Sequence, residues 1–363
     1  MRLLSVRAVK PGMKLATPVK NEKNKILVNK GVALTERMIE RLADLKVRYV
    51  YIDDDVSKGI EPIETMSYTV RRKATHTIES SFREITKKNQ RHGTIVVEKA
   101  TKPFKGIISE LLTSIKENQD IVTLMNDVIV YDEYIFSHSF NVTLYSLAIG
   151  IELKLASSEL ELLGLGAILH DVGKMTVPTE ILMKPGRLTN EEFEEVKKHA
   201  ESGFQILRSI HTIPLVAAHC AYQHHERLDG SGYPRGLKDK EIHQLAKIIA
   251  VADVFDAVTS NRVYRGAMLP HEGLEVLYSG SGMLFDKNVV NAFRRAVAVY
   301  PIGISVTLND GKKGIVSGYH KGLSERPILR IIEENGVRLS HPYSLDLKER
   351  RDLMIQKCGE DAS

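Results

Sequence analysis

The chain has 363 residues with 51 basic and 46 acidic side chains, which gives a formal net charge of +5. Its length allows two or three domains, and its 43% hydrophobic and 27% charged residues are typical of an ordinary globular protein. So weak a positive charge does not indicate a nucleic-acid-binding protein, but it is compatible with an anionic small-molecule ligand. Two cysteines exclude a disulfide framework and favour a reducing cytoplasm.

Neither a secretory leader nor a membrane span is expected. The N-terminus, MRLLSVRAVKPGMKLA, has no long apolar core of the kind found in signal peptides. Residues 134–151 form the longest uncharged run and have the length of a membrane span, but they include His138 and several Ser, Thr and Asn residues. We therefore predict a buried core helix there, in a cytoplasmic protein without a membrane partner.

Residues 1–65 are predicted to form a small α/β module. LATPV and KILVNKG favour a hairpin around NEKN, Thr35 is placed to cap the helix ERMIERLADL, and VRYVYI is typical of a strand. Residues 66–99 are charged and compatible with helix, so we interpret them as a helical connector. This N-terminal module could be sensory or could mediate a homodimer, and the sequence leaves both open.

Residues 100–300 have a helical pattern almost throughout and are the candidate catalytic domain. Pro185-Gly186 predicts a turn, and Thr189 with Glu192 has the spacing of a capping box. Residues 301–363 change to two strand–turn–strand patterns, with Asp310-Gly311 and Asn335-Gly336 as the turns. The fold class is therefore mainly α, with a small N-terminal α/β module and a small C-terminal β appendage.

The helical region contains a group of histidines and aspartates that lie mostly on apolar helices. Asp253 interrupts the apolar run IIAVADVF, where an uncompensated carboxylate would be costly. Neutral imidazole and carboxylate are ligands for Mn, Fe, Co, Ni or Zn, and seven of them exceed what one catalytic ion needs. The group consists of His138, His170, Asp171, His199, His224, His225 and Asp253.

Seven such ligands suit two ions that share a bridging carboxylate, an arrangement that indicates phosphoester hydrolysis. A metal-free acid–base pair is the alternative, although it would not use five histidines. Lys174 follows Asp171 by three residues and lies on the same face if the helix continues, where it could bind a phosphate oxygen or simply be a surface lysine. Arg262 and Arg265 suit phosphate or a guanine edge, and are equally consistent with a salt-bridged surface.

These segments resemble a known family. His170-Asp171 resembles the name-giving pair of the HD metallophosphohydrolase superfamily, and HHERLDGSGYP, residues 224–234, is similar to the signature of its HD-GYP subfamily. KPGRLT, HAESG and DVFDAVTSNRVYR are similar to further family segments in the same order. The resemblance covers roughly residues 100–300.

The resemblance implies an all-helical catalytic domain that hydrolyses cyclic di-GMP, a bacterial second messenger, to linear pGpG and possibly GMP. One divalent ion, iron or manganese, is then expected at His138, His170, Asp171 and Asp253. The second is expected at His199, His224 and His225, with Asp171 bridging.

The resemblance also implies roles outside the ligand set. Lys174 corresponds to a phosphate-binding lysine, and Arg262 and Arg265 correspond to residues that hold the dinucleotide. The GYP loop, with Asp229, Gly232, Tyr233 and Pro234, is expected to form a lip over the site. In this family it is also a docking surface for diguanylate cyclase domains, and a rigid connector is the alternative.

Some family members bind a third ion through a glutamate four residues before the first histidine. Here that position is Tyr134, and Glu133 lies five residues before His138, on another helical face. We therefore predict a two-metal site, which leaves open whether cleavage continues from pGpG to GMP. Two alternative functions remain at this point: a cyclic-dinucleotide receptor with little catalysis, and a phosphodiesterase for another ring such as mixed GMP–AMP.

Overall fold

The computed structural model describes residues 1–20, 26–45, 47, 49–61, 68–89, 97–117, 134–184, 186–260, 268–320 and 322–359. These residues form two compact units. The first combines the described residues of the chain's start, up to residue 61, with those from 298 onwards, and the second contains those between 68 and 297. Helices predominate, so the predicted mainly α fold class is confirmed.

The first unit contains one described helix and three antiparallel sheets, ordered β1-β5-β2, β3-β4 and β10-β6-β7-β8-β9. The amide of Leu3 donates a 2.8 Å hydrogen bond to the carbonyl of Gly303, so the two ends of the chain pack together. The elements are β1 (Arg2–Ser5), β2 (Lys14–Leu15), β3 (Val19–Lys20), β4 (Ile26–Val28), α1 (Glu36–Asp44), β5 (Tyr49–Asp53), β6 (Ser305–Leu308), β7 (Lys313–Gly318), β8 (Ile328–Glu334), β9 (Val337–Asp346) and β10 (Ile355–Cys358).

Local signals in the first unit act as predicted. The Thr35 hydroxyl accepts a hydrogen bond from the amide of Met38, which caps α1. Asp310-Gly311 connects β6 to β7, and Asn335-Gly336 connects β8 to β9. Asn335 and Gly336 have φ angles of +50° and +76°, the left-handed pair that a tight two-residue hairpin turn requires.

The second unit is helical, with short 3-10 turns between some helices. Its helices are α2 (Tyr68–Asn89), α3 (Val97–Glu117), α4 (Tyr134–Glu152), α5 (Ser157–Leu169), α6 (Thr179–Leu182), α7 (Asn190–Arg208), α8 (Leu215–Gln223), α9 (Gln244–Thr259), α10 (Pro270–Ser279) and α11 (Lys287–Ala296). The predicted capping box at Thr189 and Glu192 starts α7 and is confirmed. Helices α4 and α9 each contribute more buried hydrophobic residues to its core than any other described helix.

The uncharged run of α4 is a core helix, as predicted. Phe140, Val142, Leu144 and Leu147 are each at most 1% exposed. Among the residues that the structure describes, no helix is both long enough and apolar enough to cross a membrane.

Three aromatic rings hold α4, α9 and α11 together. Phe255 lies 5.2 Å from Tyr145 and 4.5 Å from Phe293 between ring centres, and Phe293 lies 6.0 Å from Tyr145. Because all three rings are buried, they fix the separation of the two helices that carry His138 and Asp253.

We expect Phe293→Ala to lower the free energy of unfolding by about 3–5 kcal/mol, because it leaves a cavity between three helices. Urea unfolding followed by circular dichroism measures this change. Lys287→Ala, at an exposed position of the same helix, is the control and should change stability by no more than about 0.5 kcal/mol. Equal stabilities of the two variants would contradict the role of the aromatic cluster.

Candidate metal centre

The His170-Asp171 pair lies where α5 ends, and both side chains are fully buried. The chain then turns into a 3-10 segment, Val172–Thr176, rather than continuing the α-helix. Because a 3-10 turn has three residues per turn, residues three apart still lie on one face. The ammonium of Lys174 accordingly donates a 2.5 Å hydrogen bond to Asp171 Oδ2.

Gly173 allows this turn to pack directly on α7. A Cβ atom at this position would lie 2.0 Å from the carbonyl oxygen of His199 and 2.6 Å from the amide nitrogen of Gly203. Both neighbours are backbone atoms that cannot move aside, so only glycine fits. This contact brings His199 next to the His170-Asp171 pair.

The Asp171 carboxylate divides four histidines into two groups. Its Oδ2 atom lies 3.5 Å from His138 Nε2 and 3.4 Å from His170 Nε2. Its Oδ1 atom lies 3.4 Å from His199 Nε2 and 3.8 Å from His224 Nε2. Each oxygen therefore faces its own pair of imidazoles.

Asp253 and His225 complete the cluster. Asp253 Oδ1 is 3.0 Å from His138 Nε2, while its Oδ2 is 3.7 Å from His225 Nδ1. The structure thus brings all seven residues of the predicted group together. Their candidate ligand atoms form two sets with metal-binding spacing: Asp171 with His199, His224 and His225, and Asp171 with His138 and His170.

Three of the histidines are oriented by the same backbone contact. In each, Nδ1 donates its proton to the carbonyl oxygen of the residue three positions earlier, which leaves the lone pair of Nε2 facing the cluster. The pairs are His170 with Ala167 at 2.7 Å, His199 with Val196 at 2.7 Å, and His224 with Ala221 at 2.9 Å.

His138 is oriented by a carboxylate that sequence reasoning missed. Its Nδ1 lies 2.6 Å from Asp256 Oδ2, and Asp256 Oδ1 accepts a 2.8 Å hydrogen bond from the Asn141 side-chain amide. A signal for both residues exists in the sequence. Asn141 follows His138 by three positions and Asp256 follows Asp253 by three positions, so each lies on the same helical face as a candidate ligand.

The electrostatics of the cluster favour neutral imidazoles next to an ionised carboxylate. Burial lowers the pKa of His199 to about 4, and burial together with the neighbouring histidines lowers the pKa of His224 and His225 well below the ordinary value. Burial alone would raise the pKa of Asp171, but Lys174 and His170 outweigh it and hold that pKa well below its usual range. These are the protonation states that bind a divalent ion.

His138 differs from the other histidines. Burial is the largest single influence and lowers its pKa, but the hydrogen bonds that His138 donates to Asp253 and Asp256, together with the negative charge of these carboxylates, raise that pKa to about 9. The two carboxylates therefore favour a positive charge next to His138 Nε2 and Asp253, and a bound cation can supply that charge.

Two features of the described residues fit a bound cation. His170 Nε2 and Asp171 Oδ1 are buried without a hydrogen-bond partner, which is costly for polar atoms. In addition, His199 Nε2 and His224 Nε2 lie 3.3 Å apart, although both rings already donate from Nδ1. Two facing lone pairs repel each other unless a cation lies between or beside them.

The GYP loop is bound to the segment that carries His225. The Tyr233 ring stacks on the His225 imidazole with 4.6 Å between centres, and the Tyr233 amide donates to the His225 carbonyl at 3.2 Å. A Cβ atom on Gly232 would lie 2.4 Å from the Arg227 amide nitrogen, so this close approach requires glycine. Asp229 accepts from the amide of Ser231 at 2.9 Å, which shapes the turn.

Sequence reasoning also missed Glu226, which holds the far side of the loop. Its buried carboxylate accepts hydrogen bonds from the amide of Arg235 at 2.8 Å and from the amide of Leu237 at 2.9 Å. Pro234 lies at an exposed position between these anchors. Of the remaining predicted site residues, Arg262 and Arg265 lie outside the described residues.

We expect Glu226→Gln to loosen the loop, because each carboxylate oxygen accepts one backbone hydrogen bond and the NH₂ group of glutamine, which cannot accept, replaces one of these oxygens. Trypsin should then cleave after the exposed Arg235 several-fold faster than in the unchanged protein, as followed by mass spectrometry. Glu201→Gln, at an exposed position of α7, is the control and should leave the cleavage rate unchanged. The anchoring role is wrong if Glu226→Gln and its control are cleaved alike.

Comparison with known proteins identifies the family. A family model for the HD domain matches residues 115–289, and a model for a KOW domain associated with the HD domain matches residues 305–362. The cyclic di-GMP phosphodiesterase PA4108 of Pseudomonas aeruginosa is 31% identical over 78% of this chain and 72% of its own length. This chain belongs to the HD-GYP family of cyclic di-GMP phosphodiesterases. The predicted family, fold class and enzyme class are thereby confirmed.

Two further relatives of this HD-GYP protein match over smaller parts. A cyclic di-GMP phosphodiesterase of Thermotoga maritima is 35% identical over 63% of this chain and 60% of its own length. The 3'3'-cGAMP-specific phosphodiesterase 3 of Vibrio cholerae is 35% identical over 50% of this chain and 39% of its own length. The chain therefore spans less than two thirds of these two relatives.

Proposed function

We propose that this HD-GYP protein hydrolyses cyclic di-GMP with two divalent ions held around Asp171. The observation that carries the proposal is the division of the histidines by one carboxylate, with Oδ2 facing His138 and His170 and Oδ1 facing His199 and His224. His225 and Asp253 complete the two ligand sets. The buried His/Asp cluster and the HD family support divalent metal binding, and the number of ions is part of the proposal.

A pair of ions held by these residues would supply Lewis-acid binding of the scissile phosphate and would lower the pKa of a bound water. The protein's own groups do the rest. Burial lowers the pKa of His199, His224 and His225 and keeps these imidazoles neutral, so no proton competes for their ligand nitrogens near neutral pH. Lys174, whose side chain is 13% exposed, can exchange part of its contact with Asp171 for a non-bridging phosphate oxygen.

The proposed product is linear pGpG. Helix α4 begins at Tyr134, the position where a third-metal glutamate would be needed, and the neighbouring Glu133 lies outside the described residues. Two ions are sufficient for one in-line cleavage, and continued cleavage to GMP is a separate outcome of the same assay. Iron and manganese are the proposed metals because histidine-rich mixed N/O sites accept both.

The proposal includes the expected partners and location. Arg262 and Arg265 would hold the dinucleotide, and the exposed edge of the GYP loop around Pro234 would dock diguanylate cyclase domains. A homodimer through the N-terminal module belongs to the same proposal, with a sensory role of that module as the alternative. The low cysteine content supports activity in the cytoplasm.

Asp171→Asn should lower the rate of cyclic di-GMP hydrolysis by about 10²–10³-fold, because it removes the charge that both ions would share. Chromatography after incubation with Mn²⁺, or with Fe²⁺ under anaerobic conditions, measures pGpG and GMP. Asp239→Asn, at an exposed carboxylate paired with Lys247, is the control and should keep full activity. Tight nucleotide binding by the unchanged protein, with metal bound but no turnover, would contradict an enzyme and favour a receptor.

A second candidate substrate is the mixed GMP–AMP ring, which the name of the Vibrio cholerae relative supports. The two candidate substrates are distinguished by the rates at which one metal-loaded preparation hydrolyses cyclic di-GMP and the mixed GMP–AMP ring, measured side by side. We expect cyclic di-GMP to be cleaved faster. Faster cleavage of the mixed ring would reassign the substrate while leaving the metal centre unaffected.

A further inference from the structure

Arg71 connects α2 to the hydrogen bonds around His138. Its guanidinium donates a 2.7 Å hydrogen bond to the side-chain oxygen of Asn141, and its central carbon lies 5.6 Å from the centre of the Phe140 ring. Both contacts are to neighbouring residues on α4, the helix that also carries His138. The stem of Arg71 is half-buried, whereas Arg72 beside it is exposed.

From Asn141 the hydrogen bonds continue without a gap to the metal centre. The Asn141 amide donates to Asp256 Oδ1 at 2.8 Å, and Asp256 Oδ2 accepts from His138 Nδ1 at 2.6 Å. The other ring nitrogen of His138 faces Asp171 and Asp253. The hydrogen bonds therefore run from the guanidinium of Arg71 through the amide of Asn141 and the carboxylate of Asp256 to the imidazole of His138, which faces the candidate metal site.

The donor and acceptor of each of these hydrogen bonds are fixed by the chemistry of Arg71. A guanidinium only donates hydrogen bonds, so Asn141 must turn its oxygen towards Arg71 and its NH₂ group towards Asp256. Asp256, which is 2% exposed, then receives a donor on each carboxylate oxygen. Such partners set the tautomer and the orientation of a ligand imidazole, and their loss typically costs about 10–100-fold in metal affinity.

We propose that Arg71 is a positioning residue for His138 and sets the affinity of the metal ion on the Asp171 Oδ2 side. The proposal rests on the two-metal site proposed above. In this series of hydrogen bonds Arg71 acts through Asn141 and Asp256. Because Arg71 lies on α2, the packing of α2 against α4 becomes a determinant of metal binding.

The test measures Mn²⁺ binding rather than activity. Arg71→Met keeps a long unbranched side chain but has no hydrogen-bond donor. Arg71→Lys keeps a positively charged donor group, and Arg72→Met is the matched control on the same helix. The full-length proteins are titrated with Mn²⁺ against a competing chelator, bound metal is counted by mass spectrometry, and thermal unfolding is recorded without metal.

In Arg71→Met we expect one of the two ions to bind about 10–100-fold more weakly, with the other within about twofold of the unchanged protein. Arg71→Lys should lie between these values, and Arg72→Met should bind both ions normally. The metal-free unfolding temperature of Arg71→Met should remain close to that of Arg72→Met.

Three results would overturn the proposal. Normal binding of both ions in Arg71→Met would show that the hydrogen bonds from α2 do not act on His138. Equal weakening of both ions, with a lower metal-free unfolding temperature and no recovery in Arg71→Lys, would show a general structural role. Failure of the unchanged protein to bind two ions would overturn the two-metal site and this inference together, whereas the first two results leave that site intact.

Discussion

A buried carboxylate surrounded by imidazoles is the constraint on which the second unit depends. Asp171 is fully buried, and an isolated ionised carboxylate in such a place is strongly disfavoured unless cations or donors compensate it. Lys174 supplies one charge at 2.5 Å, and the lone pairs of the nearby histidine nitrogens point inward. The cluster as a whole therefore has the polarity of a cation-binding site, with ligands on both sides of one carboxylate.

The packing of the helices serves this arrangement. His138, His199 and Asp253 come from α4, α7 and α9, so small shifts of any of these helices would separate the ligand atoms. The aromatic cluster around Phe255 holds α4 and α9, and the glycine contact at Gly173 sets the approach of α7. Backbone carbonyls fix the rotation of the His170, His199 and His224 rings, and Asp256 fixes that of His138.

Much of the candidate site could be predicted from the sequence because its signals are local. A polar residue within an apolar helix, such as Asp253, stands out because burying an uncompensated carboxylate costs free energy. The helix caps at Thr35 and Thr189 depend on neighbours three residues away, so they can also be predicted from the sequence. Arg71, Asp256 and Glu226 were not predicted. Arg71 meets Asn141, and His138 meets Asp256, across 70 and 118 residues of chain. The three-residue spacing places Asp256 on the helical face of Asp253 and Asn141 on that of His138, but it does not identify which distant side chain each of them meets. The 3-10 turn at Lys174 was not predicted either, because it packs against α7 through Gly173 and a contact between distant segments cannot be read from the local sequence.

The two-metal site proposed here would place the Asp171 carboxylate between both ions. A crystal of the Mn²⁺-loaded protein, measured at the manganese absorption edge, tests it directly through the anomalous scattering of the metal. We expect two anomalous peaks about 3.5–4 Å apart. One should lie beside Asp171 Oδ2 with His138 and His170, and the other beside Asp171 Oδ1 with His199 and His224. A single peak, or two peaks that do not share Asp171, would contradict it.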